Sequence, residues 1–135
     1  MIRYMLDTNI CIELIRNHNE HVLRRLASRK AGEIGISAIT LSELEYGAEK
    51  SSMRERNREA LSLFLAAMTI EPYDQECARH YGFIRGALER IGQKIGSLDF
   101  LIAAHALALN AVLVTNNVRE FHRIPFLKIE DWSHT

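Results

Sequence analysis

Three acidic residues far apart in the chain, Asp7, Glu43 and Asp99, each fall near the expected start of a helix. Ile2 to Leu6 read as a short buried strand that stops at Asp7-Thr8-Asn9. A helical apolar pattern (Ile10, Cys11, Leu14, Ile15) begins at once. A carboxylate at the C-terminal tip of a first strand sits where open α/β sheets bind ligands. Three carboxylates within about 5 Å of one another repel by roughly 3 kcal/mol per pair at an effective dielectric near 20. A fold tolerates that only through protonation, separation or a bound cation. Hard carboxylate oxygens suit Mg2+ or Mn2+ and leave coordination positions open for water and phosphate. The chemistry expected of such a site is metal-assisted phosphodiester cleavage.

Each acid also has a plain structural reading. Asp7 is a good N-cap for the helix after it. Thr40-x-x-Glu43 has the spacing of a capping box. Asp99 falls in a first helical turn, where negative charge suits the macrodipole. Taken together, these separate explanations weaken, because all three acids are expected at strand-to-helix junctions on one rim. A fourth region, Thr115-Asn116-Asn117-Val118-Arg119-Glu120, follows a buried strand. Asn116 and Asn117 supply neutral oxygens or an Asx turn. Glu120 completes an acidic cluster or pairs with Arg119 or Arg123. The histidines are weaker candidates. His18 and His21 lie near a polar loop, no HExxH occurs, and His105 sits in an apolar helix as a core residue. No GxSxG elbow supports a serine nucleophile.

The elements that must position these groups are legible from periodicity. Strands are expected at 2–6, 34–36, 69–70 and 111–114, with an edge strand at 128–129. Helices are expected at 9–16, 20–29, 40–48, 54–67, 74–90 (capped by Asp74) and 98–109. Alternating strands and helices favour a parallel sheet covered on both faces. Right-handed crossovers then bring all strand C-termini to one rim. The 135 residues suit a single domain, 1–135, and 47% hydrophobic content suffices for a core. The formal net charge of zero argues against constitutive electrostatic binding of polyanions. Cys11 and Cys77 read as buried free thiols, since no CxxC or zinc spacing exists. The N-terminal apolar stretch is too short for a signal peptide, and Phe100 to Val114 is too short for a membrane span. A cytoplasmic protein is the expectation.

The strings MLDTN (5–9), SAITLSELEYGAEKS (37–51), IGSLDFLIAAHAL (95–107), LVTNNVREFHRI (113–124) and EDW (130–132) resemble the PIN-domain toxins of the VapC family. Each string alone is weak, but the set runs in order over nearly the whole chain. The resemblance implies a PIN-like three-layer α/β/α sandwich with a central parallel sheet. It implies a Mg2+- or Mn2+-dependent endoribonuclease toxin of a type II toxin-antitoxin system, held inactive by a VapB-type antitoxin. The family's acids fall on Asp7, Glu43 and Asp99. Asp7 and Asp99 would be the principal metal ligands, with Glu43 binding through water or orienting the nucleophile. Many PIN domains carry aspartate where this chain has Asn117, so Glu120 would substitute from one turn on. Thr8, Asn9, Thr115 and Asn116 would orient carboxylates and phosphate, and Asn117 would help bound a second metal position. The resemblance also implies structured RNA such as initiator tRNA as substrate. It further implies a homodimer within a larger complex, and a groove for an antitoxin helix.

Two other readings compete. A magnesium phosphohydrolase that begins with an aspartate after its first strand usually needs a second aspartate two residues on, and that position is Asn9. A non-catalytic binding module would use all three acids as helix caps. Arg24, Arg25, Arg29 and Lys30, and separately Arg54 and Arg58, are candidate phosphate contacts or a solvated face.

Overall fold

A computed structural model describes residues 1–16 and 19–134. Five strands form one sheet, β1 (Tyr4–Leu6), β2 (Ile34–Ser37), β3 (Thr69–Glu71), β4 (Val112–Val114) and β5 (Ile129–Glu130). Their spatial order is β3-β2-β1-β4-β5, and every pairing is parallel. The register sets Tyr4 between Ile34 and Val112, and Leu6 beside Val114. The three residues of β1 are buried, as expected of a central strand covered on both faces. The strands at 2–6 and 111–114 are shorter than expected, because pairing begins only at Tyr4 and Val112. Gly35 is required where β2 meets its neighbour, since a Cβ there would run into the Thr69 carbonyl.

Side chains alternate across a strand, and the two faces of the sheet therefore seed two cores. Met5 and Leu113 point into one core, with Ile84, Leu88, Phe100 and Ile102. Tyr4, Leu6 and Val114 point into the other, with Ile10, Leu44, Leu61 and Trp132. The helices are α1 (Thr8–Ile15), α2 (Glu20–Ala27), α3 (Ala38–Lys50), α4 (Arg54–Ala66), α5 (Gln75–Arg90), α6 (Ser97–Leu109) and α7 (Val118–Phe121). The first core holds residues of α5, α6 and α7, and the second holds residues of α1 to α4. This is the three-layer α/β/α arrangement expected from the sequence.

Three local readings change. First, α3 begins at Ala38 rather than Thr40, because the Ser37 hydroxyl accepts the Ile39 N–H at 3.0 Å and caps it. Thr40 is thus inside the helix and fully buried, and the expected Thr40–Glu43 capping box does not form. Second, α6 follows α5 through a loop ending at Gly96, so Asp99 lies at a helix-to-helix junction rather than after a strand. Third, α7 forms one short helical element around Glu120. Asp74 does cap α5, accepting the Cys77 N–H at 3.1 Å. Cys11 and Cys77 are free and buried. Among the described residues, no helix is long and apolar enough to cross a membrane.

Candidate active site at the carboxyl rim of the sheet

Asp7 leaves the tip of β1 and is 4% exposed. Its Oδ1 accepts the Ile10 N–H at 2.9 Å, capping α1, and its Oδ2 accepts the Thr115 hydroxyl from the end of β4. The cap reading of Asp7 is therefore correct but covers only one of its two oxygens. Burial pushes the carboxyl up from 3.8 to about 6. The hydrogen bonds from Thr115 and Ile10 oppose that rise, while Asp99 and Glu13 add to it. Thr115 is fully buried and also accepts the Asn117 N–H at 2.9 Å, which folds the turn after β4.

Asp99, in the first turn of α6, is also held above the ordinary carboxylate range. Burial is the first cause, followed by the charges of Glu120 and Glu43. A Cβ on Gly96 would come within 3.3 Å of Asp99 Oδ2, so a residue without a side chain leaves room for this carboxylate. Glu43, in α3, accepts the Thr8 hydroxyl on Oε1 at 2.7 Å, and Thr8 Oγ1 lies 3.2 Å from Thr40 Oγ1. The side chain that spacing assigned to a cap is directed across to α1 instead. Glu120 reaches the field of Asp99 from α7, and Asn117 stands at the start of that helix without a side-chain cap bond. Asn9 is exposed on α1. Asn116 donates to Glu13 Oε1 at 3.1 Å.

Glu13 is the member that sequence reasoning missed. Its charge acts on Asp7, and its Oε2 is buried without a hydrogen-bond partner. The signal was its position one helical turn after Asn9, on the same face of α1. The acids thus form a connected series through space, Glu13 to Asp7 to Asp99, with Glu43 and Glu120 beyond. All of its oxygens are hard donors, and the charge of the series is uncompensated at its buried members, which suits a divalent cation. As arranged, no three acidic, histidine or cysteine side chains among the described residues converge to hold one ion together.

The remaining candidates lie elsewhere. His105 is fully buried in α6 and belongs to the core, as expected. His21 lies in the first turn of α2, and His18 falls outside the described residues. The arginines read as phosphate contacts are mostly engaged within the chain. Arg25 pairs with Glu130 at 3.3 Å and lies over the Trp132 ring, and Arg29 lies 4.6 Å from the centre of the Tyr4 ring. Arg54 pairs with Glu49 at 3.4 Å, and Arg58 bridges Glu45 and Glu49. Beside Glu43 runs a cavity of about 230 Å³ between α1, α3 and α4, lined by Ile12, Ile15, Leu44 and Leu61 together with Arg16 and Lys50.

Comparison with known proteins agrees with this fold. Residues 4–127 match the PIN domain. The chain is 46% identical over 132 residues to the tRNA(fMet)-specific endonuclease VapC of Salmonella typhimurium, covering 98% of this chain and 99% of that one. It is 46% identical over 130 residues to ribonuclease VapC2 of Rickettsia felis, covering 96% and 97%. The solved structure of DNA-bound VapBC from Salmonella typhimurium superposes with a TM-score of 0.93 at 46% identity, over 98% of this chain and 99% of that one. The chain belongs to the PIN domain family and, within it, to the VapC ribonucleases.

Proposed function

We propose that this VapC ribonuclease cuts structured RNA, with initiator tRNA as its substrate, through the acids gathered at the sheet rim. Enzymes of this family depend on a divalent metal, and Mg2+ is the proposed ion, with Mn2+ able to replace it. The observation that carries the reading is the buried Asp7 carboxyl, raised to about 6 at the tip of β1 with a second raised carboxyl, Asp99, in its field. Asp7 and Asp99 would hold the ion, with Glu43 and Glu120 bounding the site. When bound, the cation supplies charge neutralisation on the phosphate and a more acidic water. Thr115 fixes Asp7, and Thr8 fixes Glu43 through Oε1, leaving Oε2 to orient the attacking water and accept its proton. Asn9, Asn116 and Asn117 would supply neutral polar contacts to the phosphate.

The apolar cavity between α1, α3 and α4 would seat a helix of a VapB-type antitoxin. That cavity reaches Glu43, so the same partner would obstruct the acids. A homodimer within a larger toxin-antitoxin complex, acting in the cytoplasm with residues 1–135 as one unit, completes the proposal. The reading in which all the acids serve as caps is weakened by Ser37, which takes the capping role at α3 and leaves Glu43 without one. Sequencing RNA 5′ ends after brief expression, beside an Asp7→Asn control, is the direct test. Discrete new ends in the tRNA anticodon arm are expected for the wild type alone. Identical end profiles for both proteins would remove Asp7 from the chemistry.

A further inference from the structure

α6 carries Asp99 and α3 carries Glu43, and one buried side-chain hydrogen bond ties these helices together. His105 Nδ1 lies 2.7 Å from Ser37 Oγ, and both residues are fully buried. His105 is six residues after Asp99, and Ser37 is six residues before Glu43. At 1.5 Å per residue the bond therefore sits about 9 Å along the chain from each acid. The same Ser37 oxygen accepts the Ile39 N–H, so the group His105 grips is the one that starts α3. Tyr73 meets the imidazole edge-on at 5.6 Å and restricts its rotation. The other ring nitrogen, Nε2, is buried and makes no hydrogen bond of regular geometry, though the Pro72 carbonyl lies close enough to act on the ring. Burial pulls the pKa of His105 down against the opposing pull of the Asp74 charge and the Pro72 carbonyl, which favours a neutral ring with Nδ1 facing Ser37.

A structural histidine in an apolar core is an expensive choice when leucine would fill the space. We propose that His105 is a positioning residue, which holds the N-terminus of α3 against α6 and so fixes the separation of Glu43 from Asp99. This inference rests on the reading of the rim acids as a metal site. A small roll of α3 would change the gap between the two carboxylates without unfolding either helix.

The test uses the full chain, with Mn2+ binding followed by calorimetry and kcat and KM measured on an RNA that the wild type cuts. His105→Leu and Ser37→Ala are each expected to weaken Mn2+ binding about tenfold. Each should lower kcat with little change in KM. The double variant should be no worse than Ser37→Ala, which already removes the bond to His105 together with the cap at Ile39. His105→Asn, whose amide reaches the place of Nδ1, should restore most of the lost affinity. A folded His105→Leu protein with wild-type Mn2+ affinity and kcat would overturn the proposal. Should that variant not fold, wild-type values for Ser37→Ala would overturn it equally. Asp99→Asn serves as the reference. If it leaves Mn2+ binding intact, the metal-site reading falls and this inference falls with it.

Discussion

Charge is handled in opposite ways on two parts of this molecule. On the outer side of α3 and α4, Arg58 spans Glu45 and Glu49, and Arg54 joins Glu49. These groups are exposed, opposite in sign and mutually satisfied. At the carboxyl rim, Asp7 is buried and Asp99 half-buried, and the two are like in sign and pushed toward protonation. Exposed pairs contribute little to stability, because water already solvates both partners. Buried like charges lower stability, and a fold keeps them only where something else needs them. The contrast supports the carboxyl rim as the proposed working end of the protein.

The strongest way to break that contrast is Asp99→Asn, which removes one negative charge from the centre of the acidic series. RNA cleavage is expected to fall to background while circular dichroism remains unchanged, and retained cleavage would sever the link between the rim and the chemistry. Asp7→Asn sharpens the energetic side. A shift from 3.8 to about 6 corresponds to ~3 kcal/mol of destabilisation at pH 7 relative to an unstrained aspartate. The folded form binds this proton more tightly than the unfolded form. The contribution of Asp7 therefore makes the wild type more stable as pH falls from about 7 through 6 toward 4. Asp7→Asn is expected to be inactive yet more stable by up to ~3 kcal/mol at pH 7, with that part of the pH dependence gone. Urea unfolding at pH 7 and pH 5 measures both.

Thr115→Val removes the hydroxyl that lowers the Asp7 pKa and should cut activity by about 10- to 100-fold without loss of fold. Wild-type turnover would show that Asp7 needs no such support. Arg58→Ala, on the neutralised side, is expected to leave cleavage unchanged and to shift Tm by no more than the scatter of replicate melts. A substantial fall in either would mean that the α3–α4 surface does more than satisfy itself.

Much of the architecture was readable because its signals are local. Ala111 to Val114 is continuously apolar, and Asp74 stands immediately before a helical pattern. The parallel order then follows from alternation of strands and helices. What failed was local ambiguity about which polar residue begins a helix. Ser37 and Thr40 are both competent caps, and only the end of β2 and the hold from His105 decide for Ser37. That decision releases Glu43 for Thr8, a partner 35 residues away that capping rules cannot reveal. Glu13 escaped for a similar reason. Its helix position is visible, but Asn116, 103 residues away, meets it only through tertiary structure. The arginine clusters stayed open between a solvated face and phosphate contact because ion pairing across α3 and α4 is not written in spacing along either helix.

The placement of β1 between β2 and β4 has a consequence for biosynthesis. Asp7 and the hydroxyl that steadies it are separated by 108 positions, and one flank of the central strand stays open until Val112–Val114 has been translated. Such non-local closure is slow and comes late. A nascent chain that has not yet passed Thr115 therefore lacks the junction at which Asp7 finds its hydroxyl partner, and the proposed catalytic pocket forms only after that strand has been made.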